Sequence, residues 1–355
     1  MNPFVNFFDA SRRDETWHFI KRLMVLAACF LFPNFSFSCG PSGDKNVSAD
    51  DHGLIEIANQ INDDFYKIRE AVLKLAEFTS LLYIPETMAQ NASKAEPAKY
   101  KRHDNGVFYK PVDDGKSAVF VSGVVPVGEE IKKIVYGTEP LETQLMEIVQ
   151  RYPEVVQAYY NDKNSYNRIY PFFDVITQYE PKMDIPKYNF YYLADQNHNP
   201  EKKAVWVKEP YVDPAGRGWM VSAIAPVYVD GKLEGVPGLD VTINTITDRY
   251  IDKSNGDLVL LDASATVVSI QEHLTVLLSL PPLENHKYLE TIRSDTYRTE
   301  DYNLLKSRSR DVRKMVQRIF EENQTNVTFQ KEGKTLHVTS VKIPELDWRL
   351  LQIIN

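Results

Sequence analysis

The sequence predicts an α+β chain, with a long N-terminal helix packed on two successive antiparallel-sheet lobes. Three observations carry this. Residues 54–83 hold apolar side chains at helical spacing. Residues 154–243 break into segments that alternate at the period of strands. A shorter run of strands recurs after residue 257. With 355 residues, the chain is long enough for two lobes of roughly 100–150 residues each. Hydrophobic residues make up 43% and charged residues 25%, which is globular composition with material for a core.

Residues 1–38 read as a secretory signal. Lys21 and Arg22 precede the apolar run Leu23–Phe32, and a small-residue stretch ends at Ser38. Spanning a bilayer takes about 20 apolar residues, so this run is too short to be a good transmembrane helix. Two processing routes fit. Ser36 and Ser38 suit ordinary signal peptidase, while Cys39 followed by Gly40, Pro41 and Ser42 looks like a lipoprotein junction in which Ser36 replaces the usual Leu. Residues 39–53 form a polar tether. The expected location is the periplasm or cell envelope of a bacterium, with the membrane touched only through a lipid on Cys39. Cys29 and Cys39 are the only cysteines, so the rest of the chain holds no disulfide, cysteine zinc site or thiol nucleophile.

The elements follow in order. Leu54, Ile57, Ala58, Ile61, Phe65, Ile68, Val72, Leu75 and Leu82 make one helical stripe, ended before Pro85. The stripe fits packing on the chain's own sheets, and a homodimer through the same helix also fits it. Residues 85–116 are polar and read as a loop. Residues 118–126 are β-rich, 141–151 form a short helix stopped by Pro153, and 154–160 form a strand. A long aromatic loop leads to strands at 203–209, 219–229 and 233–243, with turns at 213–218 and Asp230-Gly231. Helices are expected on one side of this sheet. The second unit has strands at 257–262 and 266–270, a helix at 304–322 with Leu304, Val312, Met315, Val316 and Phe320 inward, and strands at 326–330, 334–342 and 348–354.

Function concentrates between Tyr159 and Asp240. Aromatic residues there are interleaved with a few charges, the composition of a small-molecule pocket. Arg168, Tyr170, Tyr188, Phe190, Tyr191, Trp206, Tyr211, Asp213, Trp219 and Asp240 are the candidate ligand-binding residues. An aromatic box with carboxylates suits an amine. Asp213 also fits a plain turn residue before Pro214-Ala215-Gly216. Asp240 sits in an apolar strand, where an unpaired carboxylate is costly.

The segment WVKEPYVDPAGRGWMVSAIAPVYVDGKLEGVPGLDV, residues 206–241, resembles the signature of the double Cache (tandem PAS-like) family. It has the Trp-containing strand, Pro-Tyr-x-Asp, the Gly turn, Ala-Pro-Val and Gly-x-x-Gly-x-Asp-Val. The resemblance is specific over about residues 150–250 and extends by element order to the Asp347-Trp348-Arg349-Leu350 strand. It implies a membrane-distal, ligand-binding lobe at 54–250 and a membrane-proximal lobe at 251–355. Amino-acid-binding members grip the carboxylate with Arg-x-Trp-Tyr and the amine with two later Asp residues. Here Tyr188-Asn189-Phe190-Tyr191 stands in that place, without the Arg and with Phe for Trp, while Asp213 and Asp240 match the acids.

The resemblance implies an extracytoplasmic small-molecule sensor in signal transduction. The expected ligand bears an amine or is otherwise polar. With no apolar span before Asn355, the chain is expected to lack its own cytoplasmic output domain and to act through a membrane signalling receptor or kinase. The alternative is a structural or adhesive surface lipoprotein with no small ligand. A net charge of −8 argues against nucleic acid. No metalloprotease, nucleophile-elbow, Walker or dinucleotide motif occurs, and the seven His residues show no ligand spacing. The expectation is therefore no enzyme, no cofactor and no metal.

Overall fold

The computed structural model describes residues 49–281, 299–331 and 333–354. The secretory signal and Cys39 lie outside the described residues, as does the tether up to residue 48. Among the described residues, no helix is long and apolar enough to cross a membrane.

Helix α1 spans Ala49–Leu82, about 50 Å at 1.5 Å per residue. Its stripe from Leu54 to Leu82 is buried, apart from a half-buried Ile57. Where a loop was expected, helix α2 spans Pro85–Lys94. Pro85 holds the first helical position, where its missing N–H forfeits no bond, so the proline that stops α1 also starts α2. Strands β1 (Lys101–Arg102), β2 (Phe108–Tyr109) and β3 (Ala118–Val121) lead to helices α3 (Glu129–Gly137) and α4 (Leu141–Arg151). Strands β4 (Gln157–Asp162) and β5 (Tyr166–Tyr170) form a hairpin, and the β5 half was missed within the aromatic stretch. The connection that follows carries the short helices α5 (Val175–Gln178) and α6 (Asn189–Tyr192). Strands β6 (Val205–Val212), β7 (Trp219–Ile224), β8 (Val227–Val229) and β9 (Lys232–Thr242) complete the first sheet. The order is β1-β2-β3-β5-β4-β9-β7-β6, with β8 on the end of β9, and every pairing is antiparallel.

Helix α7 (Ile243–Ile246) leads to the second unit: β10 (Asp257–Leu261), β11 (Val267–Ile270), α8 (Glu272–Leu277), α9 (Arg310–Phe320), β12 (Asn326–Lys331), β13 (Lys334–Ile343) and β14 (Trp348–Ile354). The sheet order is β11-β10-β14-β13-β12, all antiparallel. The expected helix at 304–322 is split. A single turn at Leu304–Lys306 precedes α9, whose N-cap Ser309 accepts from the Val312 N–H. Ile319 is buried and Phe320 is half-buried.

The first sheet is covered on both faces, not one. Helices α1 and α4 share a core with Ala158, Tyr160, Val221, Ala223, Leu239 and Val241 on one side. On the other, the 171–204 connection packs with Tyr159, Ile169, Ile224 and Val236. A polar knot ties α1 to both units. Glu345, in the β13–β14 turn, accepts from Arg69 Nε of α1 and from Trp206 Nε1 of β6 at 3.1 Å. Its backbone N–H donates to Asn62 Oδ1 at 2.9 Å, and Trp348 Nε1 donates to the Lys208 carbonyl at 3.2 Å.

Candidate functional site

The register of β4, β9 and β7 builds the site. Gln157, Asp240 and Ser222 stand opposite one another across three strands, so their side chains share one face. One row further lie Tyr159, Gly238 and Ile224, flanked by Ile169 of β5. A Cβ on Gly238 would lie 2.2 Å from Tyr159 Cζ. Gly238 therefore lets the Tyr159 ring lie across the neighbouring strand. Gly235 does the same for Tyr160 on the opposite face, where a Cβ would meet its hydroxyl at 2.3 Å.

These rows floor a cavity covered by Tyr179, Met183, Ile185, Phe190 and Pro214, with Tyr211 and Asp213 at its side. Phe190 stacks on Tyr188 with ring centroids 5.2 Å apart, and Tyr211 lies 5.7 Å beyond it. The cavity is closed down to about 20 Å³, room for about one water molecule.

Two carboxylates meet there. Asp240 is 1% exposed and is bonded only by side chains: Gln157 Nε2 donates to it at 2.6 Å, and so does the Ser222 hydroxyl, which also bonds Tyr211 OH. Burial, reinforced by the Asp213 charge, pushes the Asp240 carboxyl up to about 8. Asp213 is also buried. It accepts from the Ala215 and Arg217 N–H groups at 2.8 and 3.1 Å, so it does shape the turn, and Gln157 Nε2 approaches it at 3.3 Å. Its carboxyl is raised by burial. One amide nitrogen thus reaches both acids, while the buried Gln157 Oε1 has no hydrogen-bond partner. Among the described residues, neither acid forms an ion pair and no Lys, Arg or His lines the cavity. Chemically, the site offers negative charge and hydrogen-bond acceptors within an aromatic enclosure, and it lacks a cation.

Of the ten residues singled out in the sequence, Phe190, Tyr211, Asp213 and Asp240 surround this cavity, and Tyr188 backs Phe190. Tyr191 is buried in the same cover without lining the cavity. The other four lie elsewhere. Arg168 and Tyr170 alternate with Asn167 and Ile169 along β5 and face the helices. Arg168 is fully buried, donating to Glu142 Oε1 at 2.9 Å, Tyr166 OH at 2.8 Å and the Val135 carbonyl at 2.8 Å. Trp206 packs on Phe65 of α1 at 4.9 Å. Trp219 lies beside Ile243 and the β10–β11 turn. Gln157, Asn161, Asn167 and Tyr179 line the cavity but were not singled out. The period-2 run Gln157, Tyr159, Asn161 within a buried strand was the signal available for β4.

No family model matches the sequence, and no curated protein is similar to it. Three ligand-binding domains among solved structures are similar to this chain at low identity and low TM-score. One is that of the Pseudomonas fluorescens chemoreceptor CtaA in complex with L-isoleucine, 14% identical over 87% of this chain and 97% of that one, with a TM-score of 0.40. A second is that of the Campylobacter jejuni chemoreceptor Tlp3 in complex with L-norvaline, 10% identical over 85% and 92%, TM-score 0.39. The third is that of the Pseudomonas aeruginosa PAO1 amino acid chemoreceptor PctB in complex with L-Arg, 14% identical over 61% and 73%, TM-score 0.39. The chain's own architecture, a long helix against a large and then a small antiparallel sheet, is the one that its resemblance to the double Cache family implies.

Proposed function

We propose that this chain is an extracytoplasmic sensor domain that binds a small amine in the first lobe, its ammonium group between Asp240 and Asp213. The observation that carries the reading is a pair of buried carboxylates open to one cavity, with no salt bridge to either among the described residues and only the charge of Arg217, outside the lining, offsetting part of their burial. A buried charge needs a partner, and an ammonium supplies it. Among the described residues, no basic side chain lines the cavity to hold an α-carboxylate, so amines without one are favoured over amino acids. The ligand is larger than the closed cavity, so its entry displaces the 171–204 cover. That displacement is the event reported to a membrane receptor or kinase. Export and a lipid anchor at Cys39 belong to the same proposal, supported by the pattern of residues 21–40. So does pairing of two copies along α1, where Ile55, Tyr66 and Leu81 are exposed.

A thermal-shift panel of amines, amino acids, carboxylates and purines tests the ligand class. Amines are expected to raise the melting temperature through mass action, and Asp240→Asn is expected to abolish the shift. The small closed volume favours one rival, a structural or adhesive surface protein with no ligand. A panel with no hit favours that rival, while a hit of unchanged affinity in Asp240→Asn removes Asp240 from the site.

A further inference from the structure

A second cavity, of about 440 Å³, lies between the first sheet and the β10–β11 turn. Its size falls within the range of small-molecule sites. Pro210, Trp219, Ile243 and Val268 give it apolar walls. Asp262 is the buried acid among the residues that line it, at 7% exposure. Its Oδ1 already accepts from the Ser264 N–H and hydroxyl, both at 2.8 Å, and from the Thr266 N–H at 2.9 Å. Among the described residues, no hydrogen bond reaches its Oδ2, and Asp262 lines the cavity.

The surrounding charge is mainly negative. Glu209 and Glu300 also line the cavity, and Lys306, the one basic lining residue among the described residues, is 58% exposed and already 3.5 Å from Glu300. Three carboxylates against one ammonium attract a cation, and an indole face holds one well.

We propose that this cavity is a second ligand site, one that takes an organic cation with a flat apolar body. The cationic group faces Asp262 Oδ2 and the body lies against Trp219. The site stands on its own residues and does not rest on the reading of the first cavity.

Benzamidine, a planar amidinium on a benzene ring, is the probe, titrated calorimetrically into the intact chain. Asp262→Asn keeps Oδ1 for the turn and removes the charge; Trp219→Phe trims the wall. The expected result is saturable binding that weakens by about tenfold in Asp262→Asn and by less in Trp219→Phe. Asp240→Asn is expected to leave it unchanged. Circular dichroism checks each fold, and if Asp262→Asn does not fold, Trp219→Phe decides alone. The proposal is overturned by the absence of saturable binding up to millimolar probe, or by unchanged affinity in the folded cavity variants. Loss of binding in Asp240→Asn, which assigns the probe to the first cavity, overturns it as well.

Discussion

Replacing Asp240 with Asn removes one buried titratable carboxyl while keeping the shape of the side chain and one acceptor for Ser222. The Asp240 carboxyl titrates at about 8 in the folded chain, against about 3.9 in an unfolded one. Between those values the folded state holds a proton that the unfolded state has released, so folding stability falls as pH rises. The limit for one group is about 1.4 kcal/mol per pH unit, or up to about 3 kcal/mol between pH 5 and 7. Below about pH 4 both states are protonated and the penalty disappears; above about pH 8 it is constant. Burial also raises Asp213, and it raises Asp162 to about 7. Asp162 acts alike in either protein and largely cancels in the difference, whereas Asp213, whose charge acts on Asp240, is eased by the substitution and adds to the contrast. Urea unfolding at about pH 5, 6, 7 and 8 gives the comparison. The Asn variant should gain on the native chain steadily over this range and be the more stable at pH 7. A difference that does not change with pH would mean that Asp240 is already ionised at pH 5, and the argument for a missing cation would fail.

Amine binding should draw on the same proton. An ammonium favours the ionised Asp240, so affinity should rise with pH up to about 8, and calorimetry in two buffers of different ionisation enthalpy should report about one proton released per ligand; no buffer dependence would count against the contact. Glu142→Gln leaves the buried Arg168 and Lys110 without the carboxylate that both approach, at 2.9 and 3.4 Å. About 3–5 kcal/mol of stability should be lost, read as a fall in the urea midpoint, and a loss below about 1 kcal/mol would show the pair to be dispensable. Gly238→Ala drives a methyl group into the Tyr159 ring. It should cost about 1–3 kcal/mol in urea unfolding and weaken any ligand of the first cavity, whereas a neutral result would mean the ring moves freely.

The stripe of α1 was legible because nine apolar residues recur at helical spacing along it. Strand β13 alternates between buried and exposed positions, and β9 was legible from the Asp230-Gly231 turn before it. Strand β5 was hidden because Tyr166–Tyr170 is buried on both faces and looks like the loop that follows it. That same burial explains the error at Arg168. A charge in an aromatic run suggests a pocket, yet its parity on the strand sends it towards Glu142, and parity becomes readable only once the strand is recognised. Asp213 and Asp240 were found as acids within the aromatic-rich stretch, and the resemblance matched them. The cavity residues from β4 were not, because Gln157 meets Asp240 only through the pairing of strands about 80 residues apart in sequence. The two glycines of the Gly-x-x-Gly-x-Asp-Val signature gain a physical reason from the structure: each makes room for one tyrosine ring of β4.

Because α1 packs against β7, β8 and β9 of one sheet and β13 and β14 of the other, neither sheet is complete without it. A fragment cut between Ile251 and Asp257 would leave the C-terminal half with Leu350 and Trp348 uncovered by Phe65 and its neighbours. Such a piece should associate with itself instead of standing alone. The intact chain should melt in one step, its helix acting as a common spine for both halves.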